Sequence, residues 1–381
     1  MKGAILGVMV CVGVILTEGC GVAEDKQKSP IEDAPKIQLA ILLDTSGSMD
    51  GLINQARTQL WKIVNQLATA KRDGKVPDLE VALYEYGKNS NPKEDGFIRR
   101  LEGLTDDLDK ISEELFQLRT NGGKEYCGQV IQAATQELKW SKHDESLKLI
   151  FICGNEPFTQ GSVDYKQACS AAIAQGVTVS TIFCGPEVKG RSTGWHHGAQ
   201  LADGSFLSIN QNQAVAAIKT PFDADLSALS SQVNQTYAFA GAAAKKAKQR
   251  QANADKLAAS AAPAAAAERA QFKGSGKYRS AGDLVDGVAS GKIKLGTIAE
   301  TELPPNLQKK SLAEKRKILD QLGRKRKEIQ KQIRDLSAKR TDFIAKERAK
   351  QAASAKQDTL DTAIIKALRT QARRKSYVIP E

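Results

Sequence analysis

The sequence predicts an α/β fold, a doubly wound and mostly parallel sheet, followed by an α-helical C-terminal region prone to coiled-coil packing. Three observations carry this. From Ile37 to Asn210, short β-branched apolar runs alternate with amphipathic helical patterns. Residues 223–270 are instead alanine-rich, and a long charged helical pattern follows Ser311. The charge also changes sign along the chain. From Thr236 onward there are 33 Lys and Arg against 15 Asp and Glu, whereas the part before it has 23 against 29. An acidic front is joined to a basic back, which is a different object from a globule with a uniform basic surface.

Residues 1–20 read as a signal peptide. Lys2 supplies a positive charge, and Gly3 to Thr17 then run without any charge, too short to span a bilayer and the right length for a signal core. Cleavage before Cys20 would make a lipoprotein with Cys20 as the lipid attachment, whereas cleavage after Gly21-Val22-Ala23 would release a periplasmic or secreted protein. Residues 21–36 form a polar tether. The expected location is therefore outside the cytoplasm, on a cell or outer membrane or free beyond it. Four further cysteines, Cys127, Cys153, Cys169 and Cys184, are disulfide candidates in such a compartment, with three possible pairings or none.

Residues 37–220 form the first domain. Its strands are Ile37–Leu43, Leu79–Tyr86, Leu147–Cys153, Val177–Cys184 and Gly204–Ile209, with Phe97–Leu104 as a short antiparallel edge. Its helices are Gly51–Thr69, Asp106–Leu118, Gly128–Trp140 and Asp164–Gln175, the last ended by Gly176. In a doubly wound sheet, ligands bind beyond the carboxyl ends of the strands. The first strand runs there into Asp44-Thr45-Ser46-Gly47-Ser48. One carboxylate and two hydroxyls at alternate positions present hard oxygens to a single point, as Mg²⁺ or Mn²⁺ requires.

Asp-x-Ser-x-Ser at the end of an apolar strand resembles the metal-ion-dependent adhesion site of von Willebrand factor type A domains. The resemblance implies a divalent cation, Mg²⁺ foremost, held by Asp44, Ser46 and Ser48. It also implies a threonine from a second loop and an aspartate after the fourth strand. Here those places fall on Lys124 or Glu125 and on Gly154 or Asn155, with Glu156 close by. Either Glu125 or Glu156 replaces the missing oxygens, or Lys124 reaches Asp44 and substitutes for the cation. The Trp195-His196-His197 run reads as rim packing, since spacing supplies no third ligand for zinc.

The back half divides into an alanine-rich helical segment at 221–272, a connector at 273–310, and a basic helical region at 311–381. With Leu312 at a heptad a position, a and d fall on Lys315, Leu319, Leu322, Arg326, Ile329, Ile333, Leu336, Arg340 and Phe343. Leu360, Ile364, Leu368 and Ala372 make a second apolar stripe. Arginines at a disfavour a parallel dimer, so the expectation is a helical hairpin between the two stripes, with self-association as the alternative. The basic clusters Arg324–Lys327 and Arg373–Lys375 suit anionic envelope polymers or lipid head groups. Nucleic acid is not expected in an exported chain with few aromatics to stack on bases.

Function follows in three classes. The first is an adhesion or protein-binding module whose metal takes a carboxylate from a protein ligand. The second is a metal-free scaffold acting through its basic coiled coil. The third is a hydrolase, which lacks support: no GxSxG, no phosphate loop and no nucleophile–base pair is visible.

Overall fold

The computed structural model describes residues 34–212, 218–242, 244–351 and 360–379. The segment read as a signal peptide, most of the stretch read as a tether, and Cys20 lie outside the described residues. Six strands form one sheet: β1 (Lys36–Asp44), β2 (Asp78–Tyr86), β3 (Ile98–Thr105), β4 (Leu147–Gly154), β5 (Val177–Cys184) and β6 (Asp203–Ile209). Their order is β3-β2-β1-β4-β5-β6, parallel throughout except for the antiparallel β2–β3 edge pair.

The central strands are apolar on both sides because both faces are covered. In β1, Ile37, Leu39, Ile41 and Leu43 face one core, and Ala40 and Leu42 face the other. The first core is closed by α1 (Asp50–Ala68) and α2 (Leu108–Gln117). The second is closed by α3 (Cys127–Glu137), α4 (Tyr165–Ala174) and, beyond the short α5 (Glu187–Ser192), by α6 (Trp195–Leu201).

All four internal cysteines are buried free thiols, so the expected disulfide is not formed. Cys153 and Cys184 sit in the first core, Cys127 and Cys169 in the second, each filling an apolar position. Burial pushes the Cys169 thiol up to about 12.

After β6 the chain builds α7 (Asp223–Asn234), α8 (Ala244–Ala261), α9 (Pro263–Gly274), α10 (Leu284–Ala289) and the long α11 (Leu312–Gln351), then returns with α12 (Leu360–Arg374). The helical hairpin expected between α11 and α12 does not form. The α12 stripe of Leu360, Ala363, Ile364, Ala367, Leu368 and Ala372 belongs to the first sheet core and packs on α1 and β6. The seam of α11 is covered by the chain's own helices. Ile329 and Ile333 pack with Leu226, Val233, Ala267 and Ala270, and Leu319 packs with Leu284, Val285, Leu303 and Leu307. The heptad pattern marked the buried face correctly, but the face meets α7, α9 and α10 rather than a coiled-coil partner. The arginines at a positions are buried because acids from those elements meet them. Arg326 pairs with Asp283 (2.7 Å) and Asp286 (2.9 Å), and Arg340 with Asp223 (2.8 Å) and Glu268 (2.7 Å).

Candidate metal centre

Parallel pairing brings the ends of β1, β2 and β4 to one edge, where Asp44 is fully buried. The Ser46 N–H donates to Asp44 Oδ1 at 2.8 Å, which bends the loop back over the strand end. The hydroxyls of Ser46 and Ser48 lie 3.4 Å apart. Thr45 points elsewhere, its hydroxyl donating to the Tyr86 carbonyl at 3.2 Å. The second loop is clamped to the first, since Asn121 N–H donates to the Thr45 carbonyl (2.9 Å) and Gly47 N–H to the Gly122 carbonyl (3.1 Å). That clamp brings Glu125, 3 % exposed, beside Asp44.

Two glycines make the pocket possible. A Cβ on Gly154 would lie 2.4 Å from the Tyr86 hydroxyl and 3.1 Å from Asp44 Oδ2. Gly87, at φ +83°, would place a Cβ 2.8 Å from Glu125 Cγ and 2.9 Å from Asp44 Oδ1. The Tyr86 hydroxyl itself donates to the Cys153 carbonyl at 2.9 Å and walls the site from below.

Three oxygens here are buried without a hydrogen-bond partner: Asp44 Oδ2, Glu125 Oε2 and Asn155 Oδ1. Asn155 is tied to the loop by its Nδ2, which donates to the Ser48 hydroxyl at 3.1 Å. Burial first, and the Glu125 charge second, push Asp44 well above the usual carboxylate range, against the hydrogen bonds from Ser46. Glu125 is pushed up as well, by burial and by Glu156, while its bond with the Ser46 hydroxyl pulls the other way.

The sequence-derived ligands therefore sort as follows. Asp44, Ser46, Ser48 and Glu125 come together. Glu156 stands behind Glu125, with its backbone carbonyl taking the Trp195 indole N–H at 2.8 Å and its carboxylate taking Gln160 Nε2 at 3.4 Å. Asn155, one of the two residues at the expected aspartate position, is tied to Ser48 and has its Oδ1 buried without a partner. Lys124 is exposed and contributes only a backbone bridge to Gly87, so it does not stand in for a cation at Asp44. His197 bonds the Tyr165 hydroxyl at 2.8 Å and His196 packs on Phe206, which separates the two rings into packing roles. Among the described residues, no group of three or more His, Cys, Asp or Glu could hold a metal ion. The centre at Asp44 has two carboxylates, and hydroxyl and amide oxygens for the rest.

Residues 38–193 match the family model of the von Willebrand factor type A domain. No curated protein sequence matches the chain. Among solved structures, the chain is similar to the VWA domain of SpRpn10, at 18 % identity over 48 % of this chain and 100 % of that one, with a TM-score of 0.35. It is similar to proximal thread matrix protein 1 from the mussel byssus, in a form described with a zinc-occupied MIDAS motif, at 12 % identity over 47 % of this chain and 42 % of that one (TM-score 0.34). The chain thus spans less than half the length of the mussel protein. BatB from Bacteroides thetaiotaomicron is similar at 14 % identity over 45 % of this chain and 90 % of that one (TM-score 0.33).

Proposed function

We propose that the von Willebrand factor type A domain at residues 38–193 is a protein-binding module that captures a carboxylate of its partner through a divalent cation. The observation that carries this reading is the trio of buried, unpartnered oxygens on Asp44, Glu125 and Asn155. An unsatisfied buried polar atom costs about 1–3 kcal/mol, and Asp44 and Glu125, side by side, and Asn155, bonded to Ser48, all lie around the one loop. All the donors are oxygens, and only two are charged, which fits Mg²⁺ or Mn²⁺ better than zinc. Asp44, Ser46 and Ser48 would hold the ion, with Glu125 and Asn155 completing the protein's side. A cation there offers an open position to a carboxylate from outside. The chain's own part is to aim the oxygens and to leave Ser48 and the loop rim exposed to a partner, while the cation would offset the burial and the Glu125 charge that disfavour ionised Asp44. A cradle of oxygens open to solution at Ser48 supports binding rather than catalysis as the reading.

The test is calorimetric titration of the whole chain with Mg²⁺, Mn²⁺ and Ca²⁺. Wild type binds one ion, and Asp44→Ala loses it while its circular dichroism stays unchanged. A wild type that binds none of the three sinks the reading.

The same proposal sets the module outside the cytoplasm, tethered through Cys20. On this reading a lipid on Cys20 is the main anchor; among the described residues no helix is long and apolar enough to cross a membrane. Cys20→Ser should then move the protein from the membrane fraction to the soluble one; unchanged retention in low and high salt counts against it. Arg324, Lys325, Lys327 and Lys331, exposed on α11, are offered to anionic envelope polymers or lipid head groups.

A further inference from the structure

We infer that the partner is an acidic segment with at least two carboxylates, and that a hollow beside the metal centre, walled by Arg57 and Arg119, receives the second. This deepens the reading above and rests on it. The hollow, of about 590 Å³, opens between the start of α1, the end of α2 and the end of α8. Its wall nearest the metal loop in the chain is the hydrogen-bonded pair Thr120 and Asp50. Asp50 follows Ser48 by two residues, no more than about 7 Å of chain. Thr120 precedes Gly122, the residue clamped to Gly47, by the same count. A few residues of extended peptide therefore reach from the metal loop into the hollow.

The floor is apolar, made by Ile53, Leu118 and Phe116, with the Arg57 guanidinium 5.9 Å from the Phe116 ring centre. Arg57 donates to the carbonyls of Leu115 (3.2 Å), Phe116 (3.4 Å) and Leu118 (2.6 Å). Arg119 donates through Nη1 to two of the same carbonyls, Phe116 (3.2 Å) and Leu118 (2.7 Å). Its Nε and Nη2 have no partner among the described residues. Two guanidiniums thus converge on one pair of carbonyls, whose dipoles satisfy hydrogen bonds without cancelling charge. Burial and then the Arg119 charge push Arg57 below its ordinary value.

Asp50 is the acid of the lining and is engaged by Thr120, so the hollow carries a net charge of one positive unit. One carboxylate balances it. A guanidinium edge recognises a carboxylate with two parallel N–H bonds, and the apolar floor takes the aliphatic stem of a glutamate.

The test uses the full chain in Mg²⁺ and fluorescent peptides of Gly, Ser and Leu that carry either one glutamate or two. The two glutamates are set two, three or four residues apart, and binding is read by anisotropy. At the matching spacing, the second glutamate should tighten binding about tenfold. Arg119→Gln should abolish that gain while leaving one-glutamate binding and the Mg²⁺ titration unchanged. Arg119 is chosen because it is exposed, whereas Arg57 pins the end of α2. Equal binding of one- and two-glutamate peptides, or a gain that survives Arg119→Gln, overturns the hollow and leaves the metal-dependent reading standing. The absence of any Mg²⁺-dependent peptide binding overturns both.

Discussion

Asp44 is fully buried and Asp255 half-buried, and the two aspartates are driven in opposite directions. Asp44, at the edge of the sheet, has Glu125 beside it and no cation, so burial and repulsion push it up. Asp255, on α8, is also pushed up by burial. Arg269 and Lys273 outweigh that and hold it down at about 2. The two surroundings repeat the contrast. Arg269, 1 % exposed, bonds Asp109 at 2.6 Å and Asp255, and stacks over Trp61 with 4.6 Å to the ring centre. Lys273 has no exposure and is shared among Asp255, Ser230 (3.0 Å) and Asn234 (2.8 Å). Arg326 and Arg340 are paired in the same way. At Arg269, where α9 meets α2, buried charge is matched from within the chain. At the metal loop it is left unmatched. Matched charges fix one arrangement of helices, and unmatched ones wait for something from solution.

Breaking the matched side should produce the largest effect. Arg269→Ala removes one cation from buried Asp109 and half-buried Asp255, and empties the face of Trp61. Leaving one partner of a buried pair behind costs about 3–5 kcal/mol. Denaturant unfolding followed by fluorescence should show that loss without a change in divalent-ion affinity per folded molecule. A cost below about 1 kcal/mol would mean the network is incidental, and the contrast between the two regions would fail.

What the sequence revealed follows the same division. The strand ends and the Asp44, Ser46, Ser48 spacing were legible because each rests on a few adjacent residues and one periodicity. Glu125 was reachable by counting along a loop. The choice between Asn155 and Glu156 was not, because one residue of uncertainty where β4 ends decides which side chain meets Ser48 and which carbonyl meets Trp195. In the back half, periodicity identified the buried faces of α11 and α12 but carries no information about what covers them. Leu360 and Ile364 find the sheet across a chain separation of some 300 residues, marked by the bond from the Leu360 N–H to Gln55 Oε1. Arg326 and Arg340 looked like flaws in a coiled-coil seam, since their acids, Asp283 and Asp223, are remote in sequence. The cysteines misled because an expected compartment argues for pairing, whereas each thiol is free and fills an apolar core position.

The smallest expected effect comes from the unmatched side and has the opposite sign. Glu125→Gln removes one of two adjacent buried carboxylates, and its amide N–H can donate to the orphaned Asp44 Oδ2. In the absence of divalent ions this should stabilise the protein at neutral pH by about 1 kcal/mol, the order of one buried polar group relieved. The pH dependence follows from the upward displacement of Asp44 and Glu125. Above the ordinary carboxylate range, the unfolded chain releases protons that the folded chain keeps, so the stability of the cation-free wild type falls as pH rises toward neutrality. Glu125→Gln should flatten that fall. Saturating Mg²⁺ should reverse the ranking, because wild type gains binding free energy that the variant, lacking one charged ligand, gains less of. Thermal melts of both proteins at pH 5 and pH 7.5, with chelator and with Mg²⁺, carry the comparison. If Glu125→Gln is less stable than wild type in chelator at pH 7.5, Glu125 is matched after all, and the edge of the sheet behaves like the helical interface.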